Sequence, residues 1–163
     1  GPIGGGRHPW QSGPVPAVDL VDETFLVVDR RVLADVVADP SRWAAWWPDL
    51  ALVVFMDRGL DGIRWSVPAA APNRWAGSLE IWLEAVADGV VLHHYARLDP
   101  VDPRTGRPRP EPADLAGWRR AARERARRAR AWKRAVWALK DELEHGREPG
   151  TPRSPSRSAA PGA

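Results

Sequence analysis

The stretch LEIWLEAVADGVVLHHYARL, Leu79 to Leu98, decides the fold. Apolar and polar side chains alternate on both sides of Asp88-Gly89, a dipeptide favoured in tight primed turns, so a hairpin of two strands is expected. With Asp88 and Gly89 as the loop, Ala87 pairs with Val90. The ladder then sets Glu84 opposite His93, Trp82 opposite Tyr95 and Glu80 opposite Arg97. The other face carries Ala85 against Leu92, Leu83 against His94, Ile81 against Ala96 and Leu79 against Leu98. One face is charged and aromatic and the other almost wholly apolar, so a slip of one residue would spoil both. Such an apolar face has to be covered by other elements.

The segments on either side supply the cover. After the hairpin and a proline-rich connection, DPVDPRTGRPRPEP (99–112), comes a stripe at steps of three and four: Leu115, Trp118, Ala122, Ala126, Ala129, Trp132, Val136, Leu139 and Leu143. It predicts one long helix, about 33 residues and roughly 50 Å. Pro112 suits its first turn, Asp114 the positive end of its dipole, and Gly146 with Pro149 its stop. Upstream, VDLVDETFLVV (18–28) alternates Val18, Leu20, Thr24, Leu26 and Val28 with Asp19, Val21, Glu23, Phe25 and Val27, and reads as a first strand. Asp29 is placed to cap a short helix that ends at Asp39-Pro40. Ser41 is placed to cap a second, closed by Pro48. LALVVFMD (50–57) and GIRWSV (62–67), joined by RGLDG (58–62), make a further hairpin.

The whole chain is 163 residues with 44% apolar content, enough for one domain with one core. Gly1–Pro16 and Arg147–Ala163 are rich in Gly, Pro and Ser, so they are expected to be disordered and the domain to span 17–146. The sequence has no cysteine, which excludes a disulfide framework and thiolate metal sites and fits a cytoplasmic location. The apolar run Leu50–Met56 is far short of the roughly 18 to 20 residues of a membrane span. The N-terminal segment lacks the apolar centre of a signal peptide. With Met56 the only methionine, the translational start is expected to be missing or removed.

A strand, two short helices, antiparallel hairpins and a long terminal helix make an α+β order. VDETFLVV (21–28), ADVVADPSRWAAWWPDL (34–50) and VFMDRGLDGIRW (54–65) resemble the START-related helix-grip superfamily, SRPBCC, and within it the actinobacterial polyketide cyclase/dehydrase and lipid-transport branch. The likeness spans about Val18 to His145 and rests on the order of elements and a Trp-Pro signature in the second short helix. It implies a curved antiparallel sheet wrapped around the C-terminal helix, with a cavity for an apolar ligand between them. The sequence departs from that pattern in having five countable strands rather than six or seven, and in its proline-rich connection. A small or partly filled cavity is the expected consequence.

Trp43, Trp46 and Trp47 fall at i, i+3 and i+4 and share one side of a helical turn. They pin that turn to the sheet by burial, roof the mouth of a pocket, or serve as a membrane hook. Trp65, Trp118 and Trp132, with Leu79, Ile81, Leu83 and Ala96, complete the expected lining. His94 is the titratable group on the apolar face: a core histidine bonded to a carbonyl, or a group that orients a ligand or serves as general acid or base. His93 points the opposite way, so the pair cannot chelate one metal, and no other metal or cofactor site has ligand spacing. Glu80, Glu84, His93 and Arg97 read as a solvated cross-strand charge set.

The formal charge is +3, yet Arg119, Arg120, Arg123, Arg125, Arg127, Arg128, Arg130 and Arg134 gather on the long helix against Glu124 alone. That run is either a solvated outer face or a contact for an acidic partner, an anionic lipid headgroup or nucleic acid. Nothing clearly interleaves exposed aromatics with these arginines for base stacking, which argues against sequence-specific RNA or single-strand binding. The expectation is a monomer or weak dimer that holds a lipid, polyketide or aromatic metabolite, with cyclase or dehydrase chemistry open. The competing expectation is an interaction module that docks through the arginine-rich helix.

Overall fold

The computed structural model describes residues 15–109 and 112–144. Apart from Val15 and Pro16, the two terminal segments expected to be disordered, and with them Gly146 and Pro149, lie outside the described residues. The chain is α+β: β1 (Val18–Leu26), α1 (Arg30–Val37), α2 (Pro40–Trp46), β2 (Val53–Asp57), a short 3₁₀ turn at Gly59–Asp61, β3 (Gly62–Val67), β4 (Trp75–Val86), β5 (Gly89–Pro100) and α3 (Leu115–Glu144). The strands form one antiparallel sheet in the order β1-β5-β4-β3-β2, so β1 lies beside the last strand and each hairpin joins neighbours.

All three helices lie on one side of this sheet. Leu33, Ala34 and Val37 of α1, Trp46 and the adjoining Trp47 of α2, and Trp132, Val136 and Leu139 of α3 are buried. With the inward rows of the strands, Val18, Leu20 and Leu26; Ile63, Trp65 and Val67; Leu79, Ile81 and Leu83; Val90, Leu92, Ala96 and Leu98, they close a single core.

The hairpin differs from the sequence reading in where it turns. Val86 pairs with Gly89, so Ala87 and Asp88 form the loop and the ladder sets Ile81 against His94, Leu83 against Leu92 and Trp82 against His93. The partner of each residue moves by two positions, which preserves both faces. Gly89 serves a purpose other than turning. A Cβ there would lie 2.2 Å from the Leu26 carbonyl oxygen and 2.7 Å from the Phe25 ring. β1 therefore presses on this position, and Ala87 adopts the left-handed backbone instead, with φ at 50°.

Two helix starts follow from the same chemistry with different actors. Asp29 caps α1 as expected, accepting from the Arg31 amide. For α2 the cap is Asp39, which accepts from both the amide and the hydroxyl of Ser41, while Pro40 occupies the first helical position. Proline fits there because the amide it lacks would have had no partner.

The expected stripe on α3 holds only towards its C-terminal end. Leu115 and Trp118 are 62% and 60% exposed, Ala122 is exposed, and the buried line runs Ala121, Arg128, Trp132, Val136 and Leu139. Repeated steps of four rotate about 40° per step relative to a period of 3.6, so a line drawn 118-122-126 turns away from the sheet. Arg128 thereby leaves the outer face and becomes buried. At the far end, Glu144 is buried and accepts from the Val27 amide and from Lys140, which fastens α3 to the end of β1.

The outer hairpin face is less solvated than its charges suggest. Glu80 and His93 are 3% and 6% exposed. His93 stacks on Trp82 with ring centroids 4.4 Å apart, and its Nε2 lies 2.8 Å from Glu84. Glu80 lies 3.6 Å from Arg58.

Candidate ligand site

The inner face of the sheet places Asp22 of β1, His94 of β5 and Ile81 of β4 side by side. Trp132 of α3 descends onto this row. Its ring lies 4.2 Å from that of His94, is parallel to Trp47 at 5.7 Å and meets Trp46 edge-on at 5.8 Å. Trp47 also contacts Trp65 at 5.2 Å, and Trp43 approaches the other side of Trp65 at 5.3 Å. The three tryptophans of α2 and its C-terminal turn are thus wedged into one aromatic assembly. Edge-to-face and offset contacts of this kind add about 0.5–1.5 kcal/mol per pair to the area they bury.

The polar atoms of the assembly are mostly committed. The Trp132 indole donates to Asp22 at 3.1 Å, and Asp22 also accepts from Thr24 and pairs with Lys133 at 2.6 Å. The Trp43 indole donates to the Val37 carbonyl at 2.6 Å. His94 Nδ1 lies 3.0 Å from the Glu80 carbonyl. A carbonyl only accepts, so Nδ1 carries the proton and Nε2 keeps the lone pair. Burial pushes the His94 pKa down to about 4, outweighing the bond to Glu80 and the nearby Asp22 charge, while Arg128 adds to the lowering. At neutral pH the ring is uncharged and a weak base, so what it offers a guest is a hydrogen-bond acceptor.

Beside this assembly lies a cavity of about 240 Å³. Leu79, Ala96 and His94 form its floor. Trp46, Trp47, Pro48 and Asp49 close one side, and Arg127, Arg128, Ala131, Trp132 and Arg134 of α3 the other. Its volume is below the ~300–1,000 Å³ usual for drug-sized ligands. Asp49 accepts from Arg128 at 2.7 Å and lies 3.4 Å from Arg127. Burial pushes its carboxyl up, but the two guanidiniums outweigh that and hold it below the usual range. Glu124, outside the cavity, balances the same two arginines at 2.6 and 2.8 Å.

Of the residues expected at the site, His94, Trp46, Trp47, Leu79, Ala96 and Trp132 line this cavity. Trp43, Trp65, Ile81 and Leu83 belong to the core behind it, and Trp118 stands in solvent on the far part of α3. The sequence reading gives Asp22 and Asp49 no role, and Arg127, Arg128 and Arg134, expected on a solvated or docking face of α3, line the cavity instead. The signals were available for two of them. Asp22 shares the parity of Leu20 and Thr24, and Arg128 precedes Trp132 by four residues.

No family model and no curated protein sequence matches the chain. Among solved structures, the Aha1 dimer from Colwellia psychrerythraea superposes with a TM-score of 0.52 at 14% identity, covering 80% of this chain and 99% of that one. The DR_A0006 protein of Deinococcus radiodurans gives a TM-score of 0.52 at 13% identity, covering 79% and 99%. These likenesses concern the fold, which is of the helix-grip type: an antiparallel sheet with a long C-terminal helix across it.

Proposed function

We propose that this domain, spanning 17–146, binds a compact hydrophobic small molecule in the cavity between the sheet and α3. One observation carries the reading. The cavity is lined by Trp46, Trp47 and Trp132 and the apolar Leu79 and Ala96, with a single neutral acceptor, His94, in its floor and the charged Asp49, Arg127, Arg128 and Arg134 beside them. Moving apolar guest surface out of water there gains roughly 25 cal/mol per Å², and the acceptor fixes orientation. Lipid, polyketide or aromatic metabolites of small size fit this description. Cyclase or dehydrase chemistry would have to use His94, and a pKa of about 4 makes it a poor base at neutral pH, so carriage or sensing is the better reading. The test is native mass spectrometry of the protein taken from its own host. A small molecule is expected to accompany the wild type and to be missing from Ala131→Phe, which fills the cavity from a helical position. An empty wild type would count against the reading.

The competing role, docking to an acidic protein or an anionic membrane surface, is favoured by a separate observation. Trp118 and Trp137 are 60% and 54% exposed on the helix that carries the exposed Arg119, Arg123 and Arg130. Binding to anionic vesicles that disappears at high salt and on neutralising Arg123 and Arg130 would establish it. No helix among the described residues is long and apolar enough to span a membrane, so such docking would be peripheral. For assembly we propose a monomer or weak dimer in the cytoplasm, with the exposed edge strand β2, carrying Val53, Val54, Phe55 and Met56, as the contact.

A further inference from the structure

Resting on the reading that the cavity holds a compact apolar guest, we infer that the guest is an aromatic acid, its carboxylate held by Arg134 at the mouth and a hydroxyl at its opposite end donating to Nε2 of His94 in the floor. The first half follows from a count of charges. Three arginines and one carboxylate line the cavity. Asp49 and Glu124 between them hold Arg127 and Arg128 in ion pairs of 2.6 to 3.4 Å. Arg134 lines the same cavity, is exposed, and makes no hydrogen bond or ion pair with the described residues. Among the described residues its guanidinium is therefore an unpaired positive charge at the rim of a chamber whose other charges, Asp49, Arg127 and Arg128, are committed to ion pairs. A planar carboxylate is the group that a guanidinium fork matches in geometry as well as in sign. The neighbouring carboxylate of Asp49 does not repel such a guest strongly, because two guanidiniums already neutralise it.

The second half follows from the imidazole. With Nδ1–H given to the Glu80 carbonyl and the ring uncharged, Nε2 is the nitrogen left for a guest, and it can only accept. A phenolic hydroxyl meets that requirement, whereas a carbonyl or ether oxygen would face lone pair to lone pair. Between the two polar ends the chamber is lined by Trp46, Trp47 and Trp132, the last fixed by its bond to Asp22, so aromatic surface awaits the guest's ring.

The test is calorimetric titration of the full chain with three probes. p-Coumarate carries both groups, its methyl ester lacks the charge, and cinnamate lacks the hydroxyl. For the wild type, p-coumarate is expected to bind about tenfold more tightly than the ester and about fivefold more tightly than cinnamate. Arg134→Gln, at an exposed position that leaves folding intact, should bring acid and ester within about twofold of each other while the affinity for the ester stays as it was. An ester that binds as well as the acid, or an acid preference that survives Arg134→Gln, overturns the carboxylate assignment and leaves the cavity reading in place. Cinnamate equal to p-coumarate overturns the assignment to His94. If none of the three binds, the inference falls, and the cavity reading stands or falls separately on the small molecule that native mass spectrometry finds or does not find.

Discussion

His94 on the inner side of strands β4 and β5 and Glu80 on the outer side, both buried, place opposite demands on pH. His94 has a folded pKa of about 4 against about 6.5 unfolded, so its contribution is fully present above pH 6.5 and is lost as pH falls towards 4. The whole step amounts to about 3 kcal/mol. Urea unfolding between pH 7 and 4 should show that loss, and His94→Gln should flatten it; an equal slope in the two proteins would mean the imidazole is not buried as described. Glu80 behaves in reverse. Burial raises its pKa above 4.5 despite Arg58 and Arg64, so the stability tied to its protonated form is present below that value and is lost as pH climbs through the folded pKa. One of its carboxylate oxygens is buried without a hydrogen bond. Glu80→Gln is therefore expected to be at least as stable as the wild type at pH 7, with the difference closing near pH 4. A marked loss of melting temperature at neutral pH would show that the arginine pairing outweighs burial.

Secondary-structure elements were legible where local chemistry alone decides them and misread where tertiary contact does. The five strands, the three helices and the cap at Asp29 follow from alternation, periodicity and a side-chain oxygen in the right place. The β4–β5 turn does not, because the requirement for glycine at position 89 comes from Phe25 and Leu26 of β1, which no local pattern reveals. That account makes Ala87→Gly a discriminating change. With Ala87 in the left-handed region the variant should be stabilised by about 0.5–1 kcal/mol; were Ala87 an extended strand residue, the same change would cost a similar amount. Chemical denaturation reads the sign directly. The caps offer a parallel case: Asp39→Ala should cost about 1 kcal/mol and Ser41→Ala clearly less, an order that would invert if Ser41 were the cap of α2. On α3 apolarity alone puts alanines and tryptophans over the sheet, yet the helix buries Arg128 and exposes Trp118. Apolarity by itself does not tell which residues of a long rod lie over the sheet and which overhang it.

At the level of the molecule, the helix-grip architecture brings tryptophans from α2, β3 and α3 into one assembly, in which Trp47 and Trp132 meet over His94. Half of that arrangement was visible in advance: Trp46, Trp47, Trp132 and His94 were each assigned to the same interior from periodicity. The ionic rim was not, since Asp49 and the three arginines of α3 come together only once α2 and α3 cross. The aromatic assembly fills much of the interior between the sheet and α3, which is why the cavity is compact. The most direct check is a heteronuclear NMR titration of the ¹⁵N-labelled protein with methyl p-coumarate, following the indole N–H signals. Shifts confined to Trp46, Trp47 and Trp132, with Trp118 and Trp137 unmoved, are the expected result. Shifts at the two exposed indoles alone, or at none, would contradict an interior site.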